Sequence, residues 1–190
     1  MHGSRSEVLM SDISEKSIGL GFFLLFIPAA YASYLFHELG HWTVGEILGN
    51  RMMYSLNYVW PKDGRFLQQS HELYSSIGGP AFSILQAVLA LLIIERFRTV
   101  HAYPFAFFPM FSRFFSDVFG GFSMQDEARI SAMLGIGTYV AAIVVLVILF
   151  SLVIRCSYIL KIGLKTISYI LTASTVSQLL VIGTYTYISL

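Results

Sequence analysis

Two histidines and a glutamate in His37-Glu38-Leu39-Gly40-His41 have the residue types and the spacing of a helical metal centre. Residues four apart on an α-helix lie about 40° apart around the axis and roughly 6 Å along it. Two imidazoles so placed can hold one Zn²⁺ from the same face, and the glutamate stands beside the ion, where it can deprotonate a bound water. The stretch leading into the motif, residues 18–36, contains no charged side chain. Interfacial histidines and a snorkelling glutamate are the plain alternative. Against it, an ionisable group at the centre of a bilayer costs on the order of 2.5–3.5 kcal/mol, so such groups usually mark function.

A catalytic zinc takes three protein ligands and leaves one position for water. The single cysteine, Cys156, lies in an apolar run, so the third ligand must be another His, Asp or Glu. Asp117 is the expected one, set in the aromatic run Phe114-Phe115-Ser116-Asp117-Val118-Phe119 ahead of Gly120-Gly121. An ion pair with Arg113, one turn earlier, is its structural alternative. Asp126 and Glu127 are rivals, although they open a helical pattern where acids are expected in any case. Glu46 is some 140° round the helix from His41 and should point away. His71-Glu72 imitates the start of a second motif, but Ser75 stands where its second histidine would be. His101 falls on the opposite side of the membrane.

The elements that must position these residues follow from composition. The chain has 190 residues, 56% of them hydrophobic and only 12% charged, against roughly 25% charged in soluble domains. That places it among all-α polytopic membrane proteins, and its net charge of +1 gives no reason to expect nucleic acid. Apolar stretches of about 20 residues are needed to cross the hydrocarbon core. Five are predicted: Ile18 to Leu48, Ile77–Ile94, Tyr103–Phe119, Gly137–Ile154 and Ile167–Leu190, the third interrupted by Pro104, Pro109, Arg113 and Asp117. All belong to one domain over 1–190, with a core at 17–121 and two further helices in 122–190. Met1–Lys16 lacks the basic-then-apolar layout of a cleavable signal peptide.

Between the first two spans, Met52–Trp60 is rich in β-prone and aromatic residues, and Pro61-Lys62-Asp63-Gly64 is a turn signal. A β-hairpin beside the metal site is expected, or an interfacial loop of belt aromatics. Gly78-Gly79-Pro80 is expected at the first turn of the second span, where proline is tolerated and small residues let helices approach closely. Up–down threading brings HELGH, this motif and Asp117 to one side. Seven basic residues lie on the N-terminal side against four or five on the metal side, favouring a cytoplasmic N-terminus.

The intramembrane HELGH, the hairpin-like segment, the GGP helix and an aspartate ahead of Gly-Gly together resemble the site-2 protease family of intramembrane zinc metalloproteases. The resemblance covers residues 22–121. It implies His37, His41 and Asp117 as zinc ligands and Glu38 as general base, acting on a transmembrane protein or peptide substrate within the lipid bilayer. It implies a minimal form, with no room for a PDZ-like insertion. The family's aspartate usually stands in Leu-Asp-Gly, where this chain has Ser116-Asp117-Val118. An asparagine commonly follows the family's GGP-like motif, where this helix has Ser83 and Gln86.

The expected activity is hydrolysis of peptide bonds inside the membrane. A different class is a binding or scaffold protein with a closed structural zinc, for which Glu46 or His71 would be a fourth partner. A transporter would need polar residues through several spans, and the last two offer only Ser, Thr, Tyr and Gln178.

Overall fold

The computed structural model describes residues 18–188, and Met1–Lys16 lies outside them. It is mostly helical, with one small sheet. The helices are α1 (Leu20–Leu24), α2 (Phe26–Ile47), α3 (Gln69–Phe97), α4 (Tyr103–Phe119), α5 (Asp126–Leu134), α6 (Val140–Leu160) and α7 (Leu164–Ile188). Strands β1 (Met52–Tyr54) and β2 (Val59–Pro61) pair antiparallel, with Met53 opposite Trp60. The expected all-α architecture with a hairpin after the first span is therefore present.

Four stretches are long and apolar enough to cross a membrane: Leu20–Ile47, Gln69–Phe97, Val140–Leu160 and Leu164–Ile188. Their outward faces carry Leu24, Leu35, Leu89, Leu92, Val144 and Val147, all exposed. The expected third span, Tyr103–Phe119, is a helix of 17 residues but is not among the four. Its character is that of a central strut. Tyr103, Phe107, Phe111, Phe115 and Phe119 stack along it at successive centroid distances of 5.8, 6.3, 5.9 and 4.9 Å. This is the i,i+4 ladder of one helix face. Phe107 and Phe111 join Phe22, Phe26, Ile94, Val153 and Ile170 in the main core, and Cys156 fills space there, as expected.

Prolines set the irregularities. Pro28 has no N–H to give the Leu24 carbonyl four residues back, and the helix is interrupted one residue further on, at Leu25. Pro109 likewise leaves the Phe105 carbonyl without a partner inside α4. Gln86 of α3 repairs that loss: its Nε2 donates to Phe105 O at 3.1 Å and to Ser33 Oγ of α2 at 2.7 Å. One amide thus ties three helices together.

Helix α3 begins at Gln69, eight residues before the expected span. Pro80 therefore lies inside the helix and not at its first turn, which corrects the sequence expectation. The polar turn 69–76 is helical because it packs on protein, whereas an apolar-run reading detects only hydrocarbon depth. The close approach expected of the glycines is present. A Cβ on Gly40 would fall on the backbone carbonyl of Gly78, and one on Gly78 would fall on that of Gly40. Helices α2 and α3 touch backbone to backbone at this crossing, as small residues permit.

Candidate metal centre

Helix α2 carries His37 and His41 on one face, and the Gly40–Gly78 contact fixes how near that face stands to α3. The rings lie directly over Gly79, where a Cβ would overlap His41 Nε2 and come 2.7 Å from His37 Cε1. Only glycine leaves the space both imidazoles occupy.

Each ring is held by its other nitrogen. His41 Nδ1 lies 2.7 Å from the carbonyl of Ser75. A carbonyl only accepts, so Nδ1 carries the hydrogen and Nε2 of the neutral ring is a bare lone pair. His37 Nδ1 lies 2.9 Å from Ser83 Oγ, which can accept in the same way. Ser83 thus stands one turn beyond the Gly78-Gly79-Pro80 motif.

The two Nε2 atoms converge on a third donor, and it comes from beyond the expected core. Asp126 Oδ2 is 3.1 Å from His37 Nε2 and 3.1 Å from His41 Nε2, while the two nitrogens are 3.1 Å from each other. Donors about 2.0–2.1 Å from a tetrahedral ion stand about 3.3 Å apart, so this triangle has the size such an ion requires. Two unprotonated nitrogens and a carboxylate oxygen would repel one another without a shared cation. Among the described residues, His37, His41 and Asp126 form the group able to hold a metal ion.

Asp117, the expected third ligand, is not part of this cluster, whereas Asp126, weighed as a rival, is. The reason is the turn after α4. Ser116 lines the cavity at the site and Asp117 does not, being about 100° further around the helix. Its Oδ2 is buried without a hydrogen-bond partner. Beyond it, Gly121 takes a left-handed conformation (φ 84°), a 3₁₀ turn follows over Phe122–Met124, and α5 opens with Asp126 pointing back at the histidines. Arg113 pairs not with Asp117 but with Asp126 Oδ2 and Glu127 Oε2, each at 3.8 Å. Arg129 Nη1 reaches Asp126 Oδ1 at 3.5 Å and Ser76 Oγ at 3.4 Å.

Glu38 is buried and shares with the three donors the wall of a cavity of about 810 Å³. Tyr34, one turn earlier, lines the same space, and its hydroxyl accepts from Gln178 Nε2 of α7 at 2.6 Å. Tyr58, Val59 and Pro61 of the hairpin close another side. Strand β1 is pinned to α2 at both its ends: Met52 N–H donates to Glu46 Oε1 at 2.7 Å, and the Tyr54 hydroxyl donates to Leu35 O at 2.6 Å. Burial, with the Glu38 charge adding, pushes the Tyr54 phenol up to about 12, so it keeps the proton it donates. The predicted turn is real but follows β2, where Gly64 N–H donates to Pro61 O at 3.0 Å; the hairpin itself closes through Ser55–Tyr58.

Glu46 is thus engaged at the hairpin, as its angle on the helix implied. His71 Nδ1 faces Asn50 Nδ2 at 3.2 Å. Neither supplies the fourth ligand that a closed structural zinc would need. His101 pairs with Thr99 at the far end of the bundle. No family model, curated protein or solved structure matches this chain.

Proposed function

We propose that this chain is a multi-pass intramembrane zinc metalloprotease, similar in its site to the site-2 protease family, with His37, His41 and Asp126 as ligands and Glu38 as general base. The observation that carries the reading is the 3.1 Å triangle of two Nε2 atoms and Asp126 Oδ2 beside a buried glutamate. A zinc ion held there would acidify a water and polarise a carbonyl, drawing the pKa of that water toward about 7.

The residues of the chain do the rest. Glu38 accepts the proton of the attacking water and returns it to the leaving amine, as a general base that becomes a general acid. Ser83 and the Ser75 carbonyl keep both imidazoles turned with Nε2 inward. Arg113 places positive charge on the cavity wall, beside the Asp126 and Glu127 carboxylates. A helical substrate must be extended before its bonds are accessible, because a transmembrane helix is internally hydrogen-bonded. The free edge of β2 offers a place for that. Its bonds to β1 run through Tyr58 O and Lys62 N–H, so alternation turns the Val59 amide and carbonyl toward the other edge.

Glu38→Gln should abolish cleavage of a membrane-embedded peptide while bound zinc stays near one per chain. Turnover that survives this change would refute the base assignment. Metal content separates the two acids: Asp126→Asn should lose the ion, as should His37→Ala, while Asp117→Asn should keep it. An Asp117 variant empty of metal would reverse the assignment.

A further inference from the structure

A second cavity, of about 890 Å³, lies at the opposite end of the bundle and has no part in the chemistry above. Ligand pockets run from about 300 to 1,000 Å³. Helix α7 packs mainly on α2 and leaves its sequence neighbour α6, which opens a groove floored by Phe107 and Met110 of α4 and walled by Phe150 and Ile154 of α6. Phe150 and Ile154 are both more than half exposed, so the groove opens to the surroundings of the helices. At its end stand three cations, Arg98, Arg155 and Lys161.

Two observations mark those cations. The first is backbone conformation. Helices near the metal end stop on glycine in the left-handed region, α2 at Gly49 (φ 84°) and α5 at Gly135 (φ 64°). Helices α3 and α6 stop in the same region on Arg98 (φ 52°) and Lys161 (φ 53°), the only non-glycine residues with positive φ among those described. The closing bonds of α5 and α6 correspond, Ile136 N–H to Ser131 O at 3.2 Å and Ile162 N–H to Ser157 O at 3.0 Å. Glycine is what this geometry favours. A long basic side chain stands here against that preference.

The second is charge. Among the described residues this end carries Arg96, Arg98, Arg155, Lys161 and Lys165 against one acid, Glu95, already paired with Arg155 at 3.2 Å. The metal end carries five cations and seven acids. Nothing described on the protein neutralises Arg98 or Lys161. A basic cluster at the mouth of an apolar groove between membrane helices is complementary to an anionic lipid. We infer that the groove between α4, α6 and the start of α7 binds an anionic phospholipid, with its phosphate on Arg98 and Lys161 and an acyl chain along Phe107 and Met110.

The full chain, reconstituted in phosphatidylcholine vesicles, tests this with spin-labelled phosphatidylglycerol against spin-labelled phosphatidylcholine. Using the full chain counts any competition from Glu7, Asp12 and Glu15, which lie outside the described residues. The motionally restricted fraction should favour the anionic lipid. Arg98→Gly and Lys161→Gly should each cut that preference about fivefold. Both should also raise the melting temperature in phosphatidylcholine, since glycine fits the left-handed position. An unchanged preference in these variants would mean the cations merely terminate helices, and would overturn the inference. So would displacement of the labelled lipid by excess glycerol phosphate, which would show a headgroup site without a chain. Equal, minimal restriction of both lipids together with a cross-linkable dimer would assign the groove to a second copy instead.

Discussion

Each end of the bundle holds an arginine–carboxylate pair across two helices. Near the proposed metal site, Arg113 of α4 faces Glu127 of α5 at 3.8 Å, with side chains 10% and 1% exposed. At the other end, Arg155 of α6 meets Glu95 of α3 at the shorter distance of 3.2 Å, with side chains 56% and 40% exposed. Distance alone would rank the second pair higher. Burial reverses the order, because a solvated pair exchanges one set of good interactions for another, whereas a buried charge that loses its partner has nothing to replace it. The buried pair also carries unfinished business: Arg113 Nε and both oxygens of Glu127 lack hydrogen bonds. It lies beside Asp126, whose Oδ2 is also 3.8 Å from the Arg113 guanidinium.

The largest effect should come from breaking that pair on one side. Arg113→Met leaves Glu127 fully buried and unpaired, and should cost about 3–5 kcal/mol of stability in thermal or denaturant unfolding. Converting both residues, in Arg113→Met with Glu127→Met, should recover most of that loss. If the single variant unfolds like the wild type, burial is not what separates the two ends.

How far this was legible in the sequence depends on the range over which each contact acts. The HELGH pair could be read directly, because four-residue spacing on a helix is fixed by local geometry. The Gly40–Gly78 crossing followed from side-chain size, and the helix 103–119 from its apolar run, although it is not among the four long apolar spans. Asp126 was obscured by its own position. An acid at a helix start has a sufficient local explanation in the helix dipole, and its real partners lie 85 and 89 residues away. Gly120-Gly121 was the available signal: it ends α4 and turns the chain back, so the acids after it were better placed than the one before. The start of α3 was misread for another reason. Its first turns are polar, so the stretch failed a test for hydrocarbon depth while satisfying every condition for a helix.

A smaller effect is expected one step out from the ligands. Ser83 orients His37 through Nδ1 without touching the other two donors. Partners of this kind change metal affinity by about 10–100-fold. Ser83→Ala should therefore weaken zinc binding by that factor in a competition titration with a chelator, with little loss of stability. A change equal to that of His37→Ala would make Ser83 a ligand, and no change would mean the backbone alone fixes the ring.

The smallest effect belongs to the pair with the better geometry. Glu95→Gln removes the carboxylate that Arg155 contacts through Nε at 3.3 Å and Nη2 at 3.2 Å, yet keeps the shape of the side chain. Arg155 is then left as a half-exposed cation that water or lipid headgroups can solvate, so the loss should be within about 1 kcal/mol. Added salt should shrink it further, since screening weakens exposed pairs far more than buried ones. The same salt series on Arg113→Met should move little. Measured side by side, the two responses separate contact from burial: a salt-insensitive cost of several kcal/mol at Glu95 would show that this end, too, holds its charges out of reach of solvent.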